Sequence, residues 1–433
     1  MFSRPNINVP QVISGLPGAK GPAGLPPGGW PASDPLVTQR LMSKLLEKVA
    51  QDKRSVSELS PAVLEFKKLV DDTPILRDGF GQMFKQTPLK PLLDTQLTVK
   101  PQIADFDTMY KMCDHIITYS FPHDEEDLSS SMSALYELPR ATIGSLPVAT
   151  SMAPELNVQF ENMFNERARF LLSSKSCTYL TTNEDGWFGP AARAHMPNFE
   201  ETYVCDPGAD HFGFTSWDDF FTRQFREGVR PVVSPDDNNI IHSACEAALY
   251  NISHNIKEQD SFLIKGESLS LRDILNDGPN TDMFVGGSIF QAYLNPYDYH
   301  RWSSPVNGII DKIDFAIGTY YGTPTEETPT ENLPWAMRHS SYTRALIYIQ
   351  PDNPSIGQIA FVAAGLADSS TCDVTVYEGQ KVSKGDQLGM FHFGGSTHCL
   401  IFRKDANITF NEDFTAPGGR VPLNAPIAVV GGN

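Results

Sequence analysis

Gly389-Met390-Phe391-His392-Phe393-Gly394-Gly395-Ser396-Thr397 is the stretch on which this chain turns. Two small, flexible residues are followed by two hydroxyls, with apolar residues on either side. By itself Gly-Gly-Ser is common in turns and at strand ends. Its setting gives it interest, because Ser396 follows one strand-like run and opens another, Thr397 to Phe402. A serine between two glycines and a strand has a hydroxyl within reach of the carbonyl of its own preceding residue. Such a residue can cut its own peptide bond.

Outward from that segment, the sequence from about residue 228 alternates short β-branched and aromatic runs with Gly, Pro, Asn and Asp. The runs are Ile240–His242, Ala248–Ile252, Ile289–Leu294, Gly308–Ile313, Ala345–Gln350, Gln358–Ala364 and Cys372–Val376. Frequent turn signals between short strands predict an antiparallel sheet. The polar stretch 322–330, punctuated by Pro324 and Pro329, reads as a surface loop.

The first part of the chain has a different texture. Residues 1–33 are rich in Gly and Pro and read as a disordered arm. A helix is predicted from Ser33 or Asp34 through Leu36, Leu41, Leu45 and Val49. Ser60-Pro61 opens a second with Val63, Phe66, Leu69 and Val70 inward, and Asp72-Thr73-Pro74 a third with Ile75, Phe80 and Phe84. Two more are predicted from Asp105 (Met109, Met112, Ile116) and from Pro154 (Leu156, Phe160, Met163, Phe164, Leu171). The fold class is therefore α+β, a helical domain over 34–211 followed by a β-rich domain over 212–433.

Composition excludes several functions. The net charge of −18 argues against nucleic acid and anionic membrane surfaces, which attract basic patches. No apolar run approaches the ~20 residues that span a bilayer. The N-terminus lacks a basic region followed by an apolar stretch, so a cytoplasmic protein is expected. The six cysteines show no C-x-x-C or Cys/His ligand spacing, which predicts reduced thiols and no metal.

Several segments together resemble the phosphatidylserine decarboxylase family. They are Trp217-Asp218-Asp219-Phe220-Phe221-Thr222-Arg223-Gln224-Phe225 with Arg230-Pro231, Ile264-Lys265-Gly266-Glu267-Ser268, Asn295-Pro296-Tyr297-Asp298-Tyr299-His300-Arg301-Trp302, and Lys384-Gly385-Asp386-Gln387-Leu388-Gly389 leading to Gly394-Gly395-Ser396-Thr397. The elements stand in the family's order over about 212–430. Cys245-Glu246, where lipid-acting members carry Asp-Gly, and the extended Met390-Phe391-His392-Phe393 run resemble a fungal branch that decarboxylates L-tryptophan.

The resemblance implies a pyruvoyl-dependent carboxy-lyase matured by self-cleavage between Gly395 and Ser396, with L-tryptophan converted to tryptamine. In the family the serine hydroxyl attacks the preceding carbonyl, and elimination and hydrolysis leave a pyruvoyl cap that serves as electron sink. Chains 1–395 and 396–433 are then expected to stay associated. By the same resemblance Glu246 matches the carboxylate of a serine–histidine–acid arrangement, and His300 the histidine linked to decarboxylation.

One departure stands out. The family reads Tyr-His-Arg-x-His-x-Pro, and its second histidine is the expected base for self-cleavage; here the position is Ser303. His300, His398 or His392 are the alternatives for that base. A phosphatidylserine decarboxylase, or a relative that does not mature for want of that histidine, are the alternative functions. Lys265 as a Schiff-base lysine for pyridoxal phosphate has no phosphate-cradling loop beside it. Arg223 and Arg301 are expected to be structural, since pairing with the substrate carboxylate would oppose its loss. Oligomeric state and a choice among aromatic substrates do not follow from these residues.

Overall fold

The computed structural model describes residues 43, 45–84, 103, 105–120, 122–123, 153–264, 267–318, 343–365, 371–394 and 396–431. The predicted arm 1–33, the start of the first helix, the 322–330 loop, Lys265 and Gly395 lie outside the described residues.

Among the described residues the N-terminal core is carried by α1 Pro61–Asp72, α2 Pro74–Met83, α3 Phe106–Ile117 and α4 Ala153–Leu171, with Leu45 and Val49 buried in the same cluster. Ser60 precedes α1 with Pro61 in its first turn, where proline's missing N–H costs nothing. Thr73-Pro74 then breaks the chain and starts α2. Asp105 caps α3 by accepting from the Thr108 amide at 2.8 Å. Phe66 of α1 lies at the centre, with Phe80 of α2, Tyr110 of α3 and Phe160 of α4 each at a ring separation of 5.8 Å. Each helix thus gives one aromatic to a single contact point, Phe66, Phe80 and Phe160 from the predicted stripes and Tyr110 from outside the Met109, Met112, Ile116 stripe of α3. One stripe member differs: Ile75 is exposed, and Leu76 with Phe80 forms the buried i, i+4 pair of α2.

After α4, short helices α5 Pro190–His195, α6 Phe199–Thr202 and α7 Trp217–Phe221 lead into the sheet region. Its strands are β1 Ile240–His242, β2 Ala247–His254, β3 Phe262–Ile264, β4 Glu267–Leu269, β5 Ser288–Leu294, β6 Arg301–Ser303, β7 Gly308–Ala316 and β8 Arg344–Pro351. They continue as β9 Ile359–Gly365, β10 Thr371–Val374, β11 Lys381–Val382, β12 Gln387–His392, β13 Ser396–Phe402, β14 Ile408–Phe410, β15 Arg420–Val421 and β16 Pro426–Val430. The main sheet has the order β11-β7-β8-β9-β13-β5-β2-β15, accompanied by β1-β16-β14, β10-β12-β6 and the β3-β4 hairpin. All these pairings are antiparallel.

Strand β13 runs down the middle of the main sheet, in register with β5 on one side and β9 on the other. Side chains alternate between its two faces. Ser396, His398, Leu400 and Phe402 share a face with Leu294, Ala292 and Phe290 of β5 and with Ala363 and Phe361 of β9. The apolar members of that face join a cluster of buried residues that extends from Leu45 in the helical block to Val430. Cys399 and Ile401 point the other way, into a second cluster with Val362, Leu346 and Tyr348. The β3-β4 hairpin and helix α8 Leu271–Ile274 close that side. Burial on both faces explains why β13 lacks a polar alternation.

Candidate active site

Ser396 is the first residue of β13 and is fully buried. Its backbone stands opposite Leu294 of β5 and Gly365 of β9. Among the described residues its hydroxyl has one long contact, donated to the Gly394 carbonyl at 3.4 Å. A hydroxyl so weakly engaged is free to turn toward another group.

The segment ahead of Ser396 is held by α7, which carries the Trp-Asp-Asp-Phe-Phe motif. The Trp217 indole N–H donates to the Phe393 carbonyl at 3.1 Å, and Asp218 accepts from the Phe393 amide at 3.3 Å. Phe221 stacks on the His300 ring at 3.7 Å between centroids. The Thr222 carbonyl accepts from Arg301 Nε at 2.7 Å. Arg223, also buried, donates to the carbonyls of Tyr297, Asp298 and Phe220. Residues 217–223 therefore tie the Tyr297–Arg301 segment to the approach to Ser396. The helical block joins in: His123 hydrogen-bonds the Tyr297 hydroxyl at 2.9 Å, and Trp187 packs on Trp217 at 4.9 Å.

The three candidate histidines occupy different environments. His398 shares the Ser396 face, lies between Phe361 and Phe290, and is fully buried. Neither ring nitrogen of His398 has a hydrogen-bond partner among the described residues. Burial alone pushes its pKa down to about 3, so the imidazole is neutral. His392 sits between two carboxylates, donating from Nδ1 to Asp218 at 2.8 Å and from Nε2 to Asp373 at 3.4 Å. Burial opposes its charge, but the two aspartates outweigh that and hold its pKa up at about 9. As an imidazolium, His392 has no lone pair with which to take a proton. His300 is buried just before β6, and its carbonyl accepts from the Phe391 amide at 2.9 Å.

Glu246 is fully buried and all its contacts come from two arginines and a backbone amide. Arg230 grips it at 2.9 and 2.7 Å, Arg420 donates at 3.0 Å, and the Leu423 amide at 2.8 Å. Burial would raise its pKa, and the Arg230 pair reverses that and lowers it. Where the sequence predicts a carboxylate that orients a histidine, the structure has one saturated by cations. Arg420 also reaches Asp298 at 3.1 Å, and burial still lifts that carboxyl to about 6. Ser303 lies beside this segment, its amide donating to the Ala244 carbonyl at 2.9 Å. Of the predicted residues, Ser396 and His398 share one face of β13, while Glu246 is held by Arg230, Arg420 and the Leu423 amide and Ser303 by the Ala244 carbonyl.

Trp302, which ends the Asn295–Trp302 motif, is buried in the core against Phe391 and Phe361. Its ring lies over Gly389, where a Cβ would come within 2.7 Å of it. Sequence reasoning missed Trp217, Asp218, Arg230 and Arg420 as site-forming residues. The signal available for the first two was an acidic pair inside an otherwise aromatic motif.

The family model for phosphatidylserine decarboxylase matches residues 217–428, and a second phosphatidylserine decarboxylase model matches residues 60–196. Decarboxylase iboD of Amanita muscaria is 44% identical over 298 residues, covering 64% of this chain and 85% of the relative. The chain belongs to the phosphatidylserine decarboxylase family. Within the family it is also similar to the L-tryptophan decarboxylase of Psilocybe cyanescens, at 39% identity over 300 residues, 64% of this chain and 68% of that one. Phosphatidylserine decarboxylase proenzyme 3 of Schizosaccharomyces pombe is 35% identical over 207 residues, 46% of this chain and 20% of the relative. The family resemblance read from the motifs is therefore correct, as is the α+β fold class, and the chain is a carboxy-lyase. Among the described residues, no helix is long and apolar enough to cross a membrane and no cluster is suited to a metal. Among the described residues no disulfide joins any of the six cysteines.

Proposed function

We propose that this protein decarboxylates a free aromatic amino acid, L-tryptophan to tryptamine, with a pyruvoyl group made from Ser396 by self-cleavage at Gly395-Ser396. The observation that carries the reading is Ser396 itself. It is buried at the head of the central strand with a loosely held hydroxyl, and a neutral histidine stands two residues on along the same face. The L-tryptophan decarboxylase name of the Psilocybe relative supports the substrate, and the proenzyme name of the yeast relative supports maturation. The −18 charge favours a small soluble substrate over an anionic lipid surface.

The residues present fit the group. His398, on the Ser396 face and with both nitrogens unengaged among the described residues, takes the Ser396 hydroxyl proton against the burial that disfavours its charged form. The oxygen attacks the Gly395 carbonyl carbon, the Gly395–Ser396 C–N bond breaks, and the Ser396 nitrogen gains a proton, leaving an ester. Loss of the Ser396 α-proton expels the Gly395 carboxylate. Water then replaces the nitrogen, releasing ammonia. When formed, the pyruvoyl group supplies an electron sink for the departing carboxylate's electron pair. His300, fixed by Phe221, gives a proton to the substrate carbon. Glu246 contributes by holding Arg230, Arg420 and the Leu423 amide in place.

Ser303, in place of the family histidine, favours one other reading, a relative that folds but does not mature. Intact-mass spectrometry of the purified chain separates them. A fragment starting at position 396 with the pyruvoyl mass, together with tryptamine from tryptophan, is expected; an uncut chain overturns the proposal. Sedimentation with acidic vesicles tests the lipid alternative.

A further inference from the structure

Self-cleavage, the reaction proposed above and the premise here, requires the chain to approach Ser396 in one direction. Downstream, Ser396 is fixed by β13, paired on both sides. Upstream, both backbone polar groups of Phe393 are fixed by α7: its carbonyl by Trp217 at 3.1 Å and its amide by Asp218 at 3.3 Å. Phe393 has φ of 69°, left-handed backbone that a phenylalanine adopts only under constraint. The Gly394 amide closes on the His392 carbonyl at 2.9 Å, making a three-residue turn with Phe393 at its apex. Only Gly394 and Gly395 separate the two fixed points. His392, bridging Asp218 and Asp373, holds the Asp218 carboxylate with its other oxygen toward the Phe393 amide.

We propose that Trp217 and Asp218 are positioning residues for self-cleavage, holding Phe393 in the left-handed turn from which the chain leads into Ser396. Both act through the Phe393 backbone. Without them Phe393 relaxes to an ordinary extended or helical backbone and the approach is lost. A displacement of about 1 Å at a reacting centre costs on the order of a hundredfold in rate.

The test uses the full-length chain with Trp217→Phe, Asp218→Asn and Asp218→Ala, beside Ser396→Ala as the uncut reference. Trp217→Phe keeps the ring and drops the donor. Asp218→Asn keeps an acceptor and loses the charge, and Asp218→Ala loses both. The expected cleavage half-lives are about tenfold longer for the first two and about a hundredfold longer for Asp218→Ala, with Trp217→Phe and Asp218→Asn melting within a few degrees of wild type. Added hydroxylamine, which cuts an ester, is expected not to speed Asp218→Asn, because the ester does not form. Acceleration by hydroxylamine would put the defect after the acyl shift and overturn the proposal. Folded variants that cut at the wild-type rate overturn it while leaving self-cleavage intact. A wild-type chain that stays uncut, like Ser396→Ala, overturns the self-cleavage reading and this proposal with it.

Discussion

Arg230 holds Glu246 with two nitrogens, Nε to Oε2 at 2.9 Å and Nη2 to Oε1 at 2.7 Å, and the carboxylate is fully buried while the arginine is not. The pair joins the start of β2 to the loop after α7, and Arg420 extends it to the loop ahead of His300. Its effect is on the frame of the site.

Glu246→Ala is accordingly expected to destabilise the fold by about 3–5 kcal/mol, the cost of breaking a buried ion pair from one side. Because the folded carboxyl has a lowered pKa, its contribution is present above the unfolded value near 4.5 and fades as pH falls through the folded one. Denaturant melts at pH 7 and pH 4 check both; equal loss at the two pH values would contradict the assignment.

His392 gives the opposite pH dependence. Its folded pKa, held up at about 9 by Asp218 and Asp373, exceeds the ordinary 6.5. The stabilisation is complete below pH 6.5 and is lost as pH rises through about 9, on the order of 3 kcal/mol at most. Thermal melts from pH 6 to 10 are expected to fall over that window in the wild type and to be flatter in His392→Gln.

His398→Leu removes two buried nitrogens that lack partners among the described residues. The fold is expected to hold or gain up to about 1–3 kcal/mol, while cleavage stops. A His398→Leu chain that melts normally and still yields the 396–433 fragment would remove His398 from the mechanism.

Ser303→His restores the family pattern at a buried position and is expected to cost about 1–3 kcal/mol through overpacking. The proposed base already stands on β13, so cleavage should be no faster than wild type. An uncut native chain that begins to cut on this change would establish the non-maturing reading instead.

Much of the fold was readable because its signals are local. Pro61 in a first turn and the Asp105 cap announced helices, and the β-branched runs announced β2, β5, β8 and β9. Ile75 misled because adjacent apolar residues, Ile75 and Leu76, leave the inward one undecided without the partner helix. The site was legible only where a residue type carries the chemistry, as with Ser396. The partners of Glu246 come from 16 and 174 residues away, and Asp218 meets Phe393 across 175. No spacing rule encodes such contacts; the sheet order creates them. His398 was visible as a candidate, but the absence of any described partner for its nitrogens depends on the apolar faces of β5 and β9 around it.

Under the proposed self-cleavage, the central place of β13 makes maturation a one-way step for folding. The bond ahead of Ser396 lies at the head of a strand laced to β5 and β9 along its whole length, and the same short chain supplies β15 and β16 to β2 and β1. Once cut, the molecule keeps its shape but loses the covalent tether that delivered those strands to their places. A melted mature enzyme must find its own C-terminal piece by collision, so its recovery should depend on dilution where the precursor's does not. The precursor alone carries the folding instructions as one message; activation deletes them and leaves only the result.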